Sequence, residues 1–140
     1  MKILITGGCG FIGSNFIHHL FKKDNIEVIN VDKLTYASNL GNLKQFQKFK
    51  NYHFIESDIC DTNKMLNTLR EHNPDVIVNF AAETHVDRSI DSPKEFINSN
   101  IIGTFNLLSC TTTYLKETRN DNFKFIQIST DEVFGSLGTS

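Results

Sequence analysis

The chain has 140 residues and a formal net charge of −2, which is enough sequence for one domain with a substantial core. A pI near 6.2 leaves no basic footprint, so we do not expect nucleic acid as a partner. The apolar runs are strand-sized, so we expect no membrane span. Cys9, Cys60 and Cys110 are an odd number without CxxC spacing. This pattern argues against a disulfide framework or a cysteine-based zinc site and favours a reduced, cytoplasmic protein.

Strand-like and helix-like segments alternate along the chain. The predicted strands are Lys2–Thr6, 27–31, Tyr52–Glu56, 75–81 and 123–129. The predicted helices are 11–23, 63–72 and 94–116, the last with Pro93 in its first turn. This alternation implies right-handed βαβ units and a Rossmann-like, doubly wound α/β fold, whose parallel sheet has the order 3-2-1-4-5. A complete dinucleotide-binding sheet has more strands. We therefore expect residues 1–140 to be the N-terminal part of an NAD-binding Rossmann domain, without its remaining strands and substrate lobe.

A glycine-rich loop follows the first strand. Gly7, Gly10 and Gly13 are spaced as G-x-x-G-x-x-G, a strand precedes them, a helix follows, and Asp32 lies about 20 residues beyond. Glycines let the backbone approach a pyrophosphate, whose charge the helix N-terminus meets. Asp32 can accept hydrogen bonds from the adenine-ribose hydroxyls and would repel a 2′-phosphate, which favours NAD over NADP. The alternative is a tight turn followed by an exposed aspartate.

Two further segments follow predicted strands at the edge of the sheet where ligands bind. Asp58, next to Ile59, could accept a hydrogen bond from the adenine amino group or could cap the next turn. Small Ala81 and Ala82 would let the nicotinamide-ribose half of the cofactor pass close to the backbone. Thr84 either faces a substrate or caps a turn.

The histidines show no metal-ligand spacing. His18 and His19 are adjacent on a predicted helix, and His53 and His72 stand alone near the ends of elements. We therefore predict no metal site from the sequence.

Thr130, Asp131 and Glu132 follow the fifth predicted strand. They could place a hydrogen-bond donor, an acid and a base at the carboxyl edge of the sheet. The alternative is a polar strand end or a helix N-cap.

Four segments together resemble a known family: residues 6–13, 32–40, 81–89 and 129–135. They are similar to the extended short-chain dehydrogenases/reductases, and within them to the dTDP-glucose 4,6-dehydratases, over essentially the whole chain. The glycine loop is shared by the whole superfamily. The segments that begin at Asp32 and His85 and the Ser-Thr-Asp-Glu-Val segment are more specific.

The resemblance implies a cofactor, a substrate and a reaction. Beside the glycines, the positions that it assigns to NAD are Phe11, Ile12, Asp32, Lys33, Leu34, Thr35, Asp58, Ile59, Phe80, Ala81, Ala82, Glu83, Thr84 and Ser99. Thr84 and Thr130 would contact the nucleotide sugar, with dTDP-glucose as substrate. Asp131 would be the general acid and Glu132 the general base of a reaction that removes water across C5 and C6 of the sugar. The family resemblance also implies a homodimer.

The chain departs from the family pattern at a few positions. Phe134 stands where Tyr is usual, Thr84 where Ser is commoner, and Cys9 where Ala is commoner. No Tyr-x-x-x-Lys pair, which this family uses for C4 oxidation, occurs in the sequence, so we expect this chain to be inactive by itself. The alternatives are another nucleotide-sugar dehydratase, epimerase or decarboxylase of the same fold, UDP-glucose as substrate, or a non-catalytic NAD-binding remnant.

Overall fold

A parallel five-stranded sheet of order β3-β2-β1-β4-β5 forms the centre of the molecule, which confirms the predicted topology. The computed structural model describes residues 1–85, 90, 93–130, 133 and 135. The strands are β1 (Lys2–Thr6), β2 (Glu27–Asp32), β3 (Tyr52–Glu56), β4 (Val76–Asn79) and β5 (Lys124–Gln127). The helices are α1 (Phe11–Leu20), a 3₁₀ helix (Leu40–Leu43), α2 (Thr62–His72), α3 (Pro93–Phe96), a π-helix (Ile97–Gly103) and α4 (Thr104–Thr118).

Several element ends differ from the predicted ones for identifiable reasons. Helix α1 ends at Leu20: the Phe21 N–H still donates four residues back to Ile17, but those of Lys22 and Lys23 donate three residues back and tighten the chain into a turn. Strand β4 ends at Asn79, level with the ends of its neighbours β1 at Thr6 and β5 at Gln127. The 3₁₀ helix has no counterpart among the predicted elements.

The predicted helix 94–116 is instead a continuous helical stretch from α3 to α4 with a π-helical part in its middle. Gly103, at the end of that part, packs so closely on Ile59 that an added Cβ would lie 2.6 Å from its Cδ1 atom. π-helical turns are rare and often occur at functional sites. Ser99 in this stretch is buried and lies beside the site described below.

Alternating residues of the central strands fill two cores, one on each face of the sheet. Ile3, Ile5 and Val28 pack with α1 on one face. Leu4, Ile29 and their neighbours pack with α2 and α4 on the other. Both faces are therefore covered at β1, β2 and β4, as expected for a parallel sheet, whereas the edge strand β5 is largely exposed. Within the described residues, no helix combines the length and apolar character that a bilayer crossing needs.

Candidate functional site

A cleft lies at the carboxyl edge of the sheet, where the loops after β1, β2, β3 and β4 meet. The residues that line it come from four loops and the π-helix: Gly7, Gly10, Val31, Asp32, Lys33, Thr35, Ala37, Ser38, Ser57, Asp58, Ile59, Phe80, Ala81, Ala82, Glu83 and Ser99. Ligands of open α/β sheets bind at this edge.

The glycine loop closes one side of the cleft. Gly7 has a φ of +69°, and a Cβ there would lie 2.7 Å from the backbone nitrogen of Ala81. A Cβ on Gly13 would collide with the Gly7 carbonyl oxygen, so this glycine lets α1 pack against the loop. Gly10 differs, since its nearest contact is the Gly7 carbonyl oxygen at 3.3 Å. Two of the three glycines are thus required by packing, and the third faces the cleft.

The N-terminus of α1 begins at this loop without a side-chain cap. Gly10 is the N-cap residue and makes no side-chain capping bond, and the first turn carries no acidic residue. The helix dipole and the first backbone N–H groups are therefore not neutralised by a carboxylate of that turn. Phe11 and Ile12, which open the helix, have highly exposed side chains, at 82% and 62%. Such a terminus can bind a phosphate group.

Asp32 lies at the end of β2 and is almost fully buried, at 5% exposure. Its Oδ2 accepts a hydrogen bond from the Cys9 backbone N–H at 2.8 Å. Its Oδ1 accepts from the Leu34 backbone N–H at 2.8 Å and from the Ser38 hydroxyl at 2.7 Å. One carboxylate therefore joins the glycine loop to the loop that follows β2.

A cation and two polar groups meet on the adjacent side of the cleft. Lys33 Nζ donates to Ser99 Oγ at 2.9 Å and lies 3.5 Å from Asp58 Oδ2. Asp58 also accepts a hydrogen bond from the Cys60 backbone N–H at 2.9 Å, which is the turn-capping role that the sequence left open. The Asp58 carboxylate can cap this turn and also accept a hydrogen bond from an adenine amino group, because each of its oxygens accepts more than one hydrogen bond.

The loop after β4 is held from two directions. Asn100 binds the backbone of Glu83 twice, accepting from its N–H at 2.8 Å and donating to its carbonyl oxygen at 2.9 Å. Tyr36 donates its hydroxyl to Glu83 Oε2 at 3.1 Å. The ring of Tyr36 also lies against that of His85, with centroids 5.9 Å apart. These contacts set the position of the loop that borders the cleft.

Beneath the glycine loop, Asn30 donates to Tyr52 Oη at 3.0 Å and lies 3.5 Å from Cys9 Sγ. Burial raises the pKa of the Cys9 thiol to about 11, and the nearby Asp32 carboxylate adds to the shift. Burial likewise raises the pKa of Tyr52 to about 12, against the effect of the Asn30 hydrogen bond. Both groups are neutral at physiological pH, so this buried cluster supports the loop and supplies no charge to the cleft.

Most of the residues predicted to contact the cofactor lie around this one cleft. Leu34 does not, because its side chain packs against the core beneath α1 and only its N–H reaches Asp32. Phe11, Ile12, Gly13 and Thr84 are also absent from the lining. Thr84 and Thr130 are exposed loop residues. Asp131, Glu132 and Phe134 lie outside the described residues, so their predicted roles stay predictions.

Some cleft residues were not predicted. Val31, Ala37, Ser38 and Ser57 line it, yet the sequence analysis assigned them no role. Ser57 follows β3 directly, so its place at the carboxyl edge was available as a signal. Asn100 had no such signal, because its contact with Glu83 depends on how the π-helix packs against the β4 loop.

Residues 4–140 match the profile of the family described as GDP-mannose 4,6 dehydratase. The chain belongs to this family. It is 47% identical to a dTDP-glucose 4,6-dehydratase of Salmonella typhimurium over 140 residues, which are 98% of this chain and 39% of that protein. The resemblance predicted from the sequence is thereby confirmed, for a chain that spans about two-fifths of the relatives it matches.

Solved structures agree with this placement. A dTDP-glucose 4,6-dehydratase from Bacillus anthracis, in complex with NAD, is 42% identical with a TM-score of 0.83, over 100% of this chain and 41% of that one. A UDP-glucose 4-epimerase from Thermotoga maritima, solved with UDP-glucose, is 34% identical with a TM-score of 0.78, over 93% of this chain and 38% of that one. The fold is therefore shared by both enzyme types, while the identity is higher for the dehydratase.

Proposed function

We propose that the chain binds NAD in the carboxyl-edge cleft and belongs to an NAD-dependent dTDP-glucose 4,6-dehydratase of nucleotide-sugar biosynthesis. Such a hydro-lyase converts dTDP-glucose to dTDP-4-keto-6-deoxyglucose and water. One observation carries the cofactor part of the proposal: the uncapped N-terminus of α1 and the buried carboxylate of Asp32 open onto the same cleft. A pyrophosphate and a ribose diol need these two groups side by side.

The glycine loop fits the pyrophosphate of NAD. Gly10 lines the cleft, and a Cβ there would meet one atom within 4 Å, the Gly7 carbonyl oxygen at 3.3 Å. Backbone N–H groups at the start of α1 would donate to the phosphate oxygens, and no acidic side chain in that turn opposes the charge. We assign Gly7, Gly10, Phe11, Ile12 and Gly13 to this half of the cofactor.

Asp32 fits the adenine ribose. An ionised carboxylate offers about four acceptor positions, and the structure occupies three of them. The position left on Oδ2 can accept from a ribose hydroxyl, and the Ser38 hydroxyl can rotate to serve as a further partner. A 2′-phosphate would bring negative charge against a nearly buried carboxylate, so we assign the site to NAD rather than NADP.

The other cofactor contacts follow from the lining of the cleft. Lys33, Asp58 and Ser99 form the polar side that would face the adenosine half, with Thr35 and Ile59 adjoining it and Leu34 contributing only its backbone. Small side chains at Ala81 and Ala82 leave the backbone after β4 accessible to the nicotinamide half, which Phe80, Glu83 and Thr84 would also contact.

The chemical step is assigned to the loop after β5. NAD held in the cleft would supply a hydride acceptor for C4 of the glucose ring and, once reduced, a hydride donor for C6; the family resemblance assigns uptake of the C4 hydroxyl proton to the Tyr-x-x-x-Lys pair, which does not occur in these 140 residues. Glu132 would remove the C5 proton, Asp131 would protonate the departing C6 hydroxyl, and Thr130 would hydrogen-bond the C4 oxygen. This loop follows the strand next to β4, and Thr84 in the β4 loop would contact the sugar nucleotide beside it. An epimerase has no need of an acid and a base for elimination at C6, so this segment favours the dehydratase.

We also propose that the complete protein is a cytoplasmic homodimer. The helical stretch after β4 presents exposed apolar side chains, among them Ile101 (61% exposed), Phe105 (68%) and Leu108 (45%). Exposed apolar residues on one helical stretch are typical of a surface that another part of the protein covers. Sedimentation of the complete protein tests this: a monomer at micromolar concentration would contradict it.

Two experiments test the function separately. Calorimetric titration of the 140-residue chain with NAD tests the cofactor site; absence of binding by a folded chain would refute it. The natural protein that contains this chain is then incubated with dTDP-glucose, and mass spectrometry and NMR identify the product. We expect loss of one water and a 4-keto-6-deoxy sugar, and we expect Asp131→Asn and Glu132→Gln to abolish it. Epimerisation of UDP-glucose without loss of water would instead support the epimerase.

A further inference from the structure

Three potential metal ligands meet at the amino edge of the sheet, opposite the cofactor cleft. Glu27 is the first residue of β2, His53 the second residue of β3, and His72 the last residue of α2. Side chains alternate between the two faces of a strand. Glu27 therefore shares a face with Ile29, and His53 shares a face with Ile55, and these isoleucines pack in the core beneath α2. The fold thus directs Glu27 and His53 toward the end of α2, where His72 lies.

The donor atoms of these residues are close enough for one ion. They all lie within 4.8 Å of one another, and this is the one such convergence of His, Cys, Asp and Glu side chains in the described part of the chain. The Nε2 atom of His53 is 3.3 Å from Glu27 Oε1. That distance is close to the edge of a tetrahedron with arms of about 2.1 Å, roughly 3.4 Å. The rings of His53 and His72 are neighbours tilted at 46° to each other, with centroids 5.1 Å apart.

We propose that Glu27, His53 and His72 form a binding site for a divalent transition-metal ion, with Zn²⁺ as the reference ion. Two imidazole nitrogens and one carboxylate oxygen suit Zn²⁺ and its neighbours in the transition series better than Mg²⁺ or Ca²⁺, which prefer oxygen ligands. Three protein ligands leave a fourth position for water. The ion would join β2, β3 and α2 on the side of the sheet away from the cofactor.

The surroundings are compatible with ligation. All three side chains are half-buried, which limits competition by solvent without closing the site. Lys2 competes with an ion for Glu27, because its Nζ lies 3.5 Å from Glu27 Oε1. Its side chain is 43% exposed and can swing into solvent when an ion binds.

Without an ion, Lys2 pairs with Glu27 beside two tilted imidazole rings, and the experiment separates this state from the ion-bound one. The chain, prepared without a histidine tag, is titrated with Zn²⁺ by calorimetry and with Co²⁺ by visible spectroscopy. We expect one ion per chain and the visible d–d bands of cobalt with nitrogen and oxygen ligands. His53→Gln and His72→Gln should each weaken binding at least about tenfold, since loss of an outer-shell partner alone costs 10–100-fold.

Lys2→Met distinguishes binding at this site from non-specific binding to a surface histidine. Removing the competing cation should strengthen Zn²⁺ binding at this site only. His19→Gln removes an exposed histidine elsewhere and Cys60→Ser removes a half-buried thiol, so both should leave the affinity unchanged. NMR of the unsubstituted chain tests the site without any variant, because the ring signals of His53 and His72 should shift when Zn²⁺ is added. Failure to bind Zn²⁺, or binding that shifts other histidines and survives both substitutions, would overturn the proposal.

Discussion

The ionised carboxylate of Asp32 joins the glycine loop to the loop after β2 through its hydrogen bonds. In Asp32→Asn, one oxygen can still accept from Leu34 and Ser38, but the new amide N–H₂ then faces the donating N–H of Cys9. An orphaned buried donor costs about 1–3 kcal/mol. The two remaining bonds lose their charge assistance, roughly 1 kcal/mol each.

Removal of the cost of burying a charge offsets part of this loss. We therefore expect Asp32→Asn to lower the free energy of unfolding by about 2–4 kcal/mol, out of a typical total of about 5–15 kcal/mol. Urea unfolding followed by circular dichroism measures the change, with Asp24→Asn, an exposed aspartate, as the matched control. We also expect NAD affinity to fall at least about tenfold, equivalent to one good hydrogen bond to the ribose. A change in stability below about 0.5 kcal/mol, the range of neutral surface substitutions, would refute the reasoning.

The remaining predictions concern the loop, a histidine and the thiols. Gly7→Ala should destabilise the chain by more than about 2 kcal/mol, because the φ of +69° at Gly7 and the backbone of the β4 loop exclude a Cβ. Gly10→Ala should instead leave the melting temperature nearly unchanged and reduce the affinity for NAD. A stable Gly7→Ala chain in thermal unfolding would contradict this. Burial lowers the pKa of His72 below its ordinary value of 6.5 in the folded chain, so the unfolded chain binds the proton more tightly than the folded chain does. With a chelator present, the free energy of unfolding should therefore fall as the pH drops below about 6.5. His72→Gln should remove this dependence of stability on pH. In thiol labelling at about pH 8 followed by peptide mapping, half-buried Cys60 should react before Cys9, whose pKa is about 11; preferential modification of Cys9 would show that the loop opens.

The sequence by itself determined the architecture and the location of the carboxyl-edge cleft that we assign to the cofactor. Alternating strand and helix patterns predicted the order of the sheet, because parallel βαβ units admit few topologies. The glycine spacing and Asp32 predicted one side of the cleft, since both requirements are local: a tight turn, and an acid at the end of the neighbouring strand. Asp58 was likewise found from its place after β3, whereas Lys33 was assigned only through the family resemblance, and the structure joins the two.

Only the tertiary structure decided which distant side chains meet. Asn100 reaches the backbone of Glu83 across 17 residues of chain, and Lys33 reaches Ser99 across 66. The convergence of His53 and His72 with Glu27 needs the register of β2 against β3 and the length of α2. Sequence periodicity tells which face a residue occupies, but it does not tell which residue of the next element lies opposite. That depends on packing between elements, and a histidine that is isolated in sequence can therefore have a partner in the fold.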